Sequence, residues 1–313
     1  MTAKVVIVGS LNMDLVACAS RIPVEGETIT GHTFFDAPGG KGANQAYAVA
    51  RLGGQAAMIG RVGSDDFGRR MRENLQQVGC DVTQLKTIRE CASGIALIFV
   101  ADNGHNSIVI VPGANSRLTP EDVEAAEGYL RGAAWLLLQL ENPLPTVIAA
   151  ARLARRAGAR VILDPAPAPP QSLPEELLTL VDILTPNETE AAILAGLKPG
   201  RLDAAHAGEI AANLRARGAK TVIVKLGDQG CLLAQEGTTQ MLPAPKVKAM
   251  DTTAAGDVFN AGLGVALAEG ADLPEACRFA NGCAALSVTR IGTQVATPSR
   301  AEVDAFLVRE ATY

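Results

Sequence analysis

Histidine is scarce and cysteine is scattered. The three histidines (His32, His105, His206) cluster neither with one another nor with the six cysteines (Cys18, Cys80, Cys91, Cys231, Cys277, Cys283), and no C-x-x-C pair occurs. That excludes an obvious zinc site. The chain carries a net charge of −5 and has no basic run, so neither nucleic acid nor an anionic membrane surface is its expected partner. An anionic ligand would need a local site. No apolar segment reaches about 18 residues, the length of a membrane span. Met1 runs straight into a Val/Ile strand with no cleavable signal pattern, and the expected setting is soluble, reducing and cytoplasmic. Two nucleotide fingerprints are missing as well. No G-x-G-x-x-G follows the first strand, which weighs against a dinucleotide-dependent oxidoreductase. Lys41 is followed by Gly42 rather than Ser or Thr, so its glycine cluster is no P-loop.

What is present suits a large globular enzyme. With 313 residues and 48% hydrophobic content, one large α/β domain or two smaller ones can be built. Val5-Val6-Ile7-Val8 reads as a buried parallel strand ended by Gly9-Ser10, with Asn12 and Asp14 in the loop after it. Ligands gather at such carboxyl ends, although an ordinary Asx turn explains these two residues equally well. Short strands follow at Leu15-Val16, Thr28 to Thr30 and Thr33 to Phe35. A hairpin spans Gly94 to Val111 about an Asp102-Asn103-Gly104 turn. Two β patches interrupting a β/α chain predict a small sheet that covers a site.

Between the patches, Gly39-Gly40-Lys41-Gly42-Ala43-Asn44-Gln45 leads into a helix from Ala46 to Leu52. Glycines entering a helix let a ligand approach the backbone, and Asn44 can hydrogen-bond hydroxyls. Regular βα units come next: strands near 56–60, 135–140, 160–163, 181–184 and 221–224, and helices near 67–78, 146–157, 203–217, 273–289 and 299–309. They predict a parallel sheet covered on both faces. Glu141 follows one strand. Asp164 opens a Pro-rich, rigid loop after another. Asn187 reads as the cap of a helix bearing Glu190, an amide and a carboxylate that suit a hydrated Mg²⁺ near phosphates.

The organising stretch is Asp251-Thr252-Thr253-Ala254-Ala255-Gly256-Asp257, followed by a small apolar helix from Val258 to Ala268. A helix start with small residues offers free N–H groups and a positive dipole end to developing negative charge. Asp257 beside it could take a proton from a hydroxyl. On this stretch alone the plainer interpretation leads, in which Asp251 or Thr252 caps the helix and Asp257 complements its dipole.

Taken together, these motifs change that balance. From about Val5 to Leu307 the chain resembles the ribokinase-like family of ATP-dependent sugar and nucleoside kinases. Its two signatures are Gly39 to Gln45 and Asp251 to Asp257, supported by Gly9-Ser10-Leu11-Asn12-Met13-Asp14 and Thr185-Pro186-Asn187-Glu188-Thr189-Glu190. The resemblance implies one doubly wound α/β domain over residues 1–313, with a mainly parallel sheet flanked by helices. A small β-sheet lid, at about 15–36 and 94–111, would pair into a homodimer. Asn12, Asp14, Gly40, Lys41, Asn44 and Glu141 would hold the sugar. Asp257 would be the general base, and the amides of Ala255, Gly256 and Asp257 the anion hole. ATP would be lined by Asn187, Lys225, Leu226, Gly227, Asp228, Gln229, Gly230, Gly256 and Asn281, with Glu190 helping to place Mg²⁺. An activating K⁺ would be held by Asp251, Thr253, Ser287, Arg290 and Gly292. Ala296 stands where relatives often have Ser and so offers only a carbonyl there, and Lys225 stands where some have Thr.

The expected reaction is phosphorylation of D-ribose at its 5-hydroxyl, since Asn12 and Asp14 together suit the secondary hydroxyls of a furanose. Alternatives within the family are kinases of 2-deoxyribose, fructose, pseudouridine or adenosine. A non-catalytic sugar sensor of the same fold is the alternative from another class, although every expected catalytic position is occupied.

Overall fold

The computed structural model describes residues 4–170 and 172–310, so the start at Met1 lies outside the described residues. The chain opens with strands β1 (Lys4–Val8), β2 (Asn12–Ala19) and β3 (Thr33–Gly39), then helix α1 (Lys41–Arg51), β4 (Gln55–Gly63) and α2 (Asp66–Gln77). Strands β5 (Leu85–Ile88), β6 (Gly94–Ala101) and β7 (Asn106–Val111) follow, then helices α3 (Pro120–Ala125) and α4 (Glu127–Leu130). The alternating middle comprises β8 (Ala133–Leu138), α5 (Leu144–Ala157), β9 (Arg160–Leu163), α6 (Glu175–Leu180), β10 (Ile183–Leu184), α7 (Glu188–Leu194), α8 (Ala204–Ala216) and β11 (Thr221–Lys225). The chain closes with β12 (Cys231–Gln235), β13 (Thr238–Leu242), α9 (Ala255–Ala268), α10 (Leu273–Ser287) and α11 (Arg300–Glu310).

These elements build a nine-stranded sheet, ordered β13-β12-β11-β10-β9-β8-β1-β4-β5, and a four-stranded sheet, ordered β3-β2-β6-β7. The large sheet is parallel from β11 to β5, and β12 and β13 add an antiparallel edge. Its central strands read as unbroken apolar runs because both faces are covered. Val5 and Ile7 of β1 join a core with residues of α1, α9, α10 and α11, whereas Val6 and Val8 join the opposite core with residues of α3 to α8. Each such side chain contributes about 1.5–3 kcal/mol on burial. None of the described helices is long and apolar enough to cross a membrane.

Several boundaries differ from expectation. Asn12 and Asp14 lie on β2 rather than in a loop, because only Gly9, Ser10 and Leu11 separate the two sheets. Residues 28–30 form no strand, and β3 instead runs on to Gly39. Helix α1 begins at Lys41, five residues before the expected Ala46, which places Lys41, Asn44 and Gln45 on its first turns. Helix α9 begins at Ala255 rather than Val258, and neither Asp251 nor Thr252 caps it. Ala254 occupies the cap position in the left-handed region (φ 60°), with no side-chain cap bond.

The first turn of α1 is held against the end of β1. The Ala43 N–H donates to the Ser10 carbonyl at 2.9 Å, and a methyl group on Gly42 would stand 2.6 Å from Gly9 Cα. The Gly9-Ser10 backbone leaves no room there, so Gly42→Ala is expected to cost about 1–3 kcal/mol by overpacking. Urea denaturation checks this, and a loss below about 0.5 kcal/mol would mean that α1 shifts freely.

Candidate active site

The candidate site forms where parallel strands end. The loop Gly9-Ser10-Leu11 follows β1, Glu141 lies just beyond β8, Asp164 directly follows β9, Asn187 lies beyond β10, and Lys225 is the last residue of β11. A parallel twisted sheet collects these ends along one rim. From the other side, β2 and the first turn of α1 bring Asn12, Asp14, Lys41 and Asn44. Glu141 ties the two sides together: its Oε2 accepts from the Lys41 N–H at 3.2 Å, from Asn12 Nδ2 at 3.5 Å and from the Ser10 hydroxyl. Gly39 and Gly40 are required by close approach. A methyl on Gly39 would collide with the Asp14 carboxylate, and Gly40 holds φ at 88° with its Cα facing the Asn12 N–H.

Asp257 projects from the first turn of α9 into this rim and is buried. Its Oδ2 accepts from Asn44 Nδ2 at 3.0 Å and its Oδ1 from Gln45 Nε2 at 3.1 Å. Burial pushes the carboxyl upward and Asp164 adds to that. Lys41 and the two amide donors work against it, and the net direction is upward. Burial would depress the Lys41 ammonium, but the surrounding Asp257, Asp164, Glu141 and Glu190 carboxylates raise it overall. Asp14 is raised to about 7 by its own burial and by the charges of Glu141 and Asp257. The first-turn N–H groups of Gly256 and Asp257 have no intrahelical acceptor, whereas the Ala255 N–H donates to the Thr252 carbonyl at 3.3 Å.

Beside Gly256 lies a cavity of about 490 Å³. Of the residues expected to line a nucleotide, Asn187, Lys225, Gly227, Asp228, Gly230, Gly256 and Asn281 border it. Leu226 instead packs into the core, and Gln229 sits on the exposed turn outside the cavity. Glu190 is buried in a capping box, its Oε2 accepting from the Asn187 N–H at 2.8 Å and its Oε1 from Asn187 Nδ2 at 3.0 Å. Glu190 itself does not line the cavity, whereas its neighbours Asn187, Glu188 and Thr189 do, so a hydrated Mg²⁺ there would meet Glu190 only through water. Asp251 accepts from the Thr253 N–H at 2.9 Å, the Thr253 hydroxyl at 2.6 Å and the Gly292 N–H at 2.9 Å, which ties together the two segments of the expected cation loop. The Ser287 hydroxyl turns back to the Ala284 carbonyl and Arg290 pairs with Glu302, so these two residues offer that loop only carbonyls. Carbonyl and carboxylate oxygens suit a hard monovalent cation.

Four residues of the site had carried no assigned role. Asp164 is buried, with Oδ1 at 2.9 Å from Lys225 Nζ and Oδ2 accepting from Gln45 Nε2 at 3.3 Å. It shares with Glu141 the one available signal, an acid at the end of a parallel strand. Gln45 stood inside a recognised segment, yet nothing local showed that it would face Asp257. Asn115 accepts from the Leu11 N–H and donates to both the Leu11 carbonyl and Asn12 Oδ1, with all three bonds between 2.8 and 2.9 Å. Gln294 donates to Asn44 at 3.1 Å. The last two contacts cross more than a hundred residues and leave no local trace.

Comparison with known proteins finds relatives along nearly the whole chain. The pfkB family carbohydrate kinase profile matches residues 2–300. A ribokinase of Haemophilus influenzae is 42% identical over 307 residues, covering 98% of this chain and 99% of its own. A deoxyribokinase of Salmonella typhi is 36% identical over 303 residues, covering 97% and 98%. The structure of Arabidopsis thaliana ribokinase complexed with ribose and ATP superposes with a TM-score of 0.89 at 35% identity, and a Thermotoga maritima ribokinase with a TM-score of 0.88 at 39% identity, each covering 98% of this chain and 99% of its own.

The raised carboxyl of Asp14 has a consequence for stability. Its folded pKa of about 7 lies above the unfolded value of 3.8, so between these pH values the folded state binds the extra proton and stability falls as pH rises. Asp14→Asn removes that loss. The variant should be more stable than the parent at pH 8, by up to about 4 kcal/mol, with the advantage vanishing below pH 4. Thermal denaturation across pH checks this, and a pH-independent difference would contradict it.

Proposed function

Because this chain belongs to the pfkB family of carbohydrate kinases and is an ATP-dependent sugar kinase, we propose that its acceptor is D-ribose, phosphorylated at the 5-hydroxyl. The observation that carries the reading is the position of Asp257. Its carboxylate faces Asn44 and Gln45 on the sugar side, while the amides of its own helix start face the cavity shared with Lys225. A hydroxyl held by Asn12, Asp14, Lys41, Asn44 and Glu141, with the Gly40 backbone beside it, would meet base and phosphate at one point. The ribose oxygen attacks the γ-phosphorus as Asp257 takes its proton, the bond to the β–γ bridging oxygen breaks, and ADP leaves. The Gly256 and Asp257 amides, with Ala255 on the same turn and Lys225 opposite, hold the developing charge. Asn187 and Glu190 would hold a hydrated Mg²⁺ through water, and the ion would supply neutralisation of phosphate charge. K⁺ in the loop of Asp251, Thr253 and Gly292, with the carbonyls of Ser287, Arg290 and Ala296, would steady the start of α9.

The four-stranded sheet is assigned as a lid over the sugar. Its outward Phe34 and Phe35 and the exposed apolar run Ile108 to Val111 on edge strand β7 support pairing with a second copy. The arrangement of the two sheets supports one domain with its lid. A cytoplasmic setting agrees with six free cysteines.

A second acceptor, 2-deoxyribose, is favoured by the deoxyribokinase relative. Initial rates with ribose, 2-deoxyribose, fructose, adenosine and pseudouridine decide between them. Ribose should give the highest kcat/KM, and a large margin for any other acceptor would overturn the substrate assignment. Asp257→Asn should lower kcat by about 10³-fold while leaving sugar binding, followed by calorimetry, largely intact.

A further inference from the structure

Beyond the groups that would touch substrate, amides behind Asp257, all buried except the partly exposed Asn74, are ordered in direction. On one side Gln139 Nε2 donates to Gln45 Oε1 at 2.7 Å, and Gln45 Nε2 donates to Asp257 Oδ1 at 3.1 Å. On the other side Asn74 Nδ2 donates to Gln294 Oε1 at 2.5 Å, Gln294 Nε2 to Asn44 Oδ1 at 3.1 Å, and Asn44 Nδ2 to Asp257 Oδ2 at 3.0 Å. Every donor in both series points toward the carboxylate. An amide has one donating and one accepting end, so fixing the first member fixes the orientation of all that follow.

We infer that Gln294 is a positioning residue for the base: it holds the Asn44 amide with its donor toward Asp257, and Asn74 holds Gln294 in turn. The inference rests on Asp257 being the base, as proposed above. Gln294 is 3% exposed and lies on the short turn Gln294–Ala296, just after the loop residue Gly292 that Asp251 binds. It therefore joins the C-terminal loop to the sugar side of the site. Without its donor, Asn44 can rotate its amide and present Oδ1 to a carboxylate, which exchanges an attraction for a repulsion. Asn74, on α2, is too far along the series to touch substrate and acts only through Gln294. Lys41 on α1, Asp164 after β9 and Asp14 on β2 face Asp257 as well. All three are retained in the variants below, so differences between variants report the amide series.

The neutral variants Gln294→Met and Asn74→Leu, and the double variant, test this with ribose and Mg-ATP. Gln294→Met should lower kcat/KM for ribose by about tenfold, the usual effect of losing a bond that supports a charged group. Asn74→Leu should cause a smaller loss. In both variants the acid limb of the kcat/KM profile should move to higher pH, because the base loses stabilisation of its charged form. The KM for ATP should stay unchanged. The double variant should be no worse than Gln294→Met, since the two residues act in series. Losses that multiply would overturn the serial arrangement. An unmoved acid limb in Gln294→Met, with Tm at the parent value, would overturn the positioning role. Asp257→Asn separates the two levels: turnover surviving that change removes the base itself, whereas lost turnover with an unmoved Gln294→Met profile removes only the present inference.

Discussion

A buried carboxylate ringed by polar groups, that of Asp257, is the constraint on which the rest of this structure depends. Leaving such a group unpaired costs several kcal/mol. Asp257 is compensated by two amide donors and by the nearby Lys41 ammonium, and bonds to charged groups are worth about 1.5–3 kcal/mol each. Those donors have to come from somewhere fixed. Asn44 and Gln45 are adjacent on α1, and α1 packs directly against α9. The tight approach of Gly42 to Gly9 sets how far α1 reaches over the end of β1. A backbone contact at one end of the first strand thus governs the electrostatics of an acid more than 200 residues later.

The same constraint accounts for the buried ion pair behind the rim. Lys225 alone beside the start of α9 would bring an uncompensated ammonium into a half-buried place. Asp164 neutralises it at 2.9 Å and is itself held by Gln45, the residue that also donates to Asp257. The ion pair of Lys225 and the carboxylate of Asp257 therefore share one amide. Breaking such a pair is costlier than never having built it, because the partner is left buried and charged. Changing Lys225 without Asp164 would disturb both sides.

Much of this was legible in the sequence where the signal is local. Apolar runs at β1, β8 and β11 showed buried parallel strands, and the Asp102-Asn103-Gly104 turn showed the β6–β7 hairpin. The segment at Gly39 marked where backbone approaches closely, and the one at Asp251 marked a helix start. Less visible were features whose cause lies elsewhere in the chain. Asn12 and Asp14 read as a turn because their strand exists only through pairing with β3 and β6. Helix α1 starts five residues early because the Ser10 carbonyl, hidden from local pattern, accepts its Ala43 N–H. Leu226, counted with its glycine-rich neighbours, turned inward because it continues the apolar side of β11. Asn115 and Gln294 had no motif to announce them, since each acts through a partner far away in the chain.

A left-handed alanine is the least expected element of the site. Ala254 at φ 60° is the sole non-glycine residue with positive φ among the described residues, at a cost of roughly 1–2 kcal/mol. Glycine would relieve that strain and would also loosen the turn on which Gly256 and Asp257 present their amides. The strain is compatible with stability because the turn is anchored on either side: the Val258 N–H donates to the Ala254 carbonyl at 3.0 Å, and the Asp251 N–H to the Val288 carbonyl at 3.2 Å. Rigidity at Ala254 and the directional amides behind Asp257 act together, by fixing hydrogen-bond donors on both sides of a single helix turn.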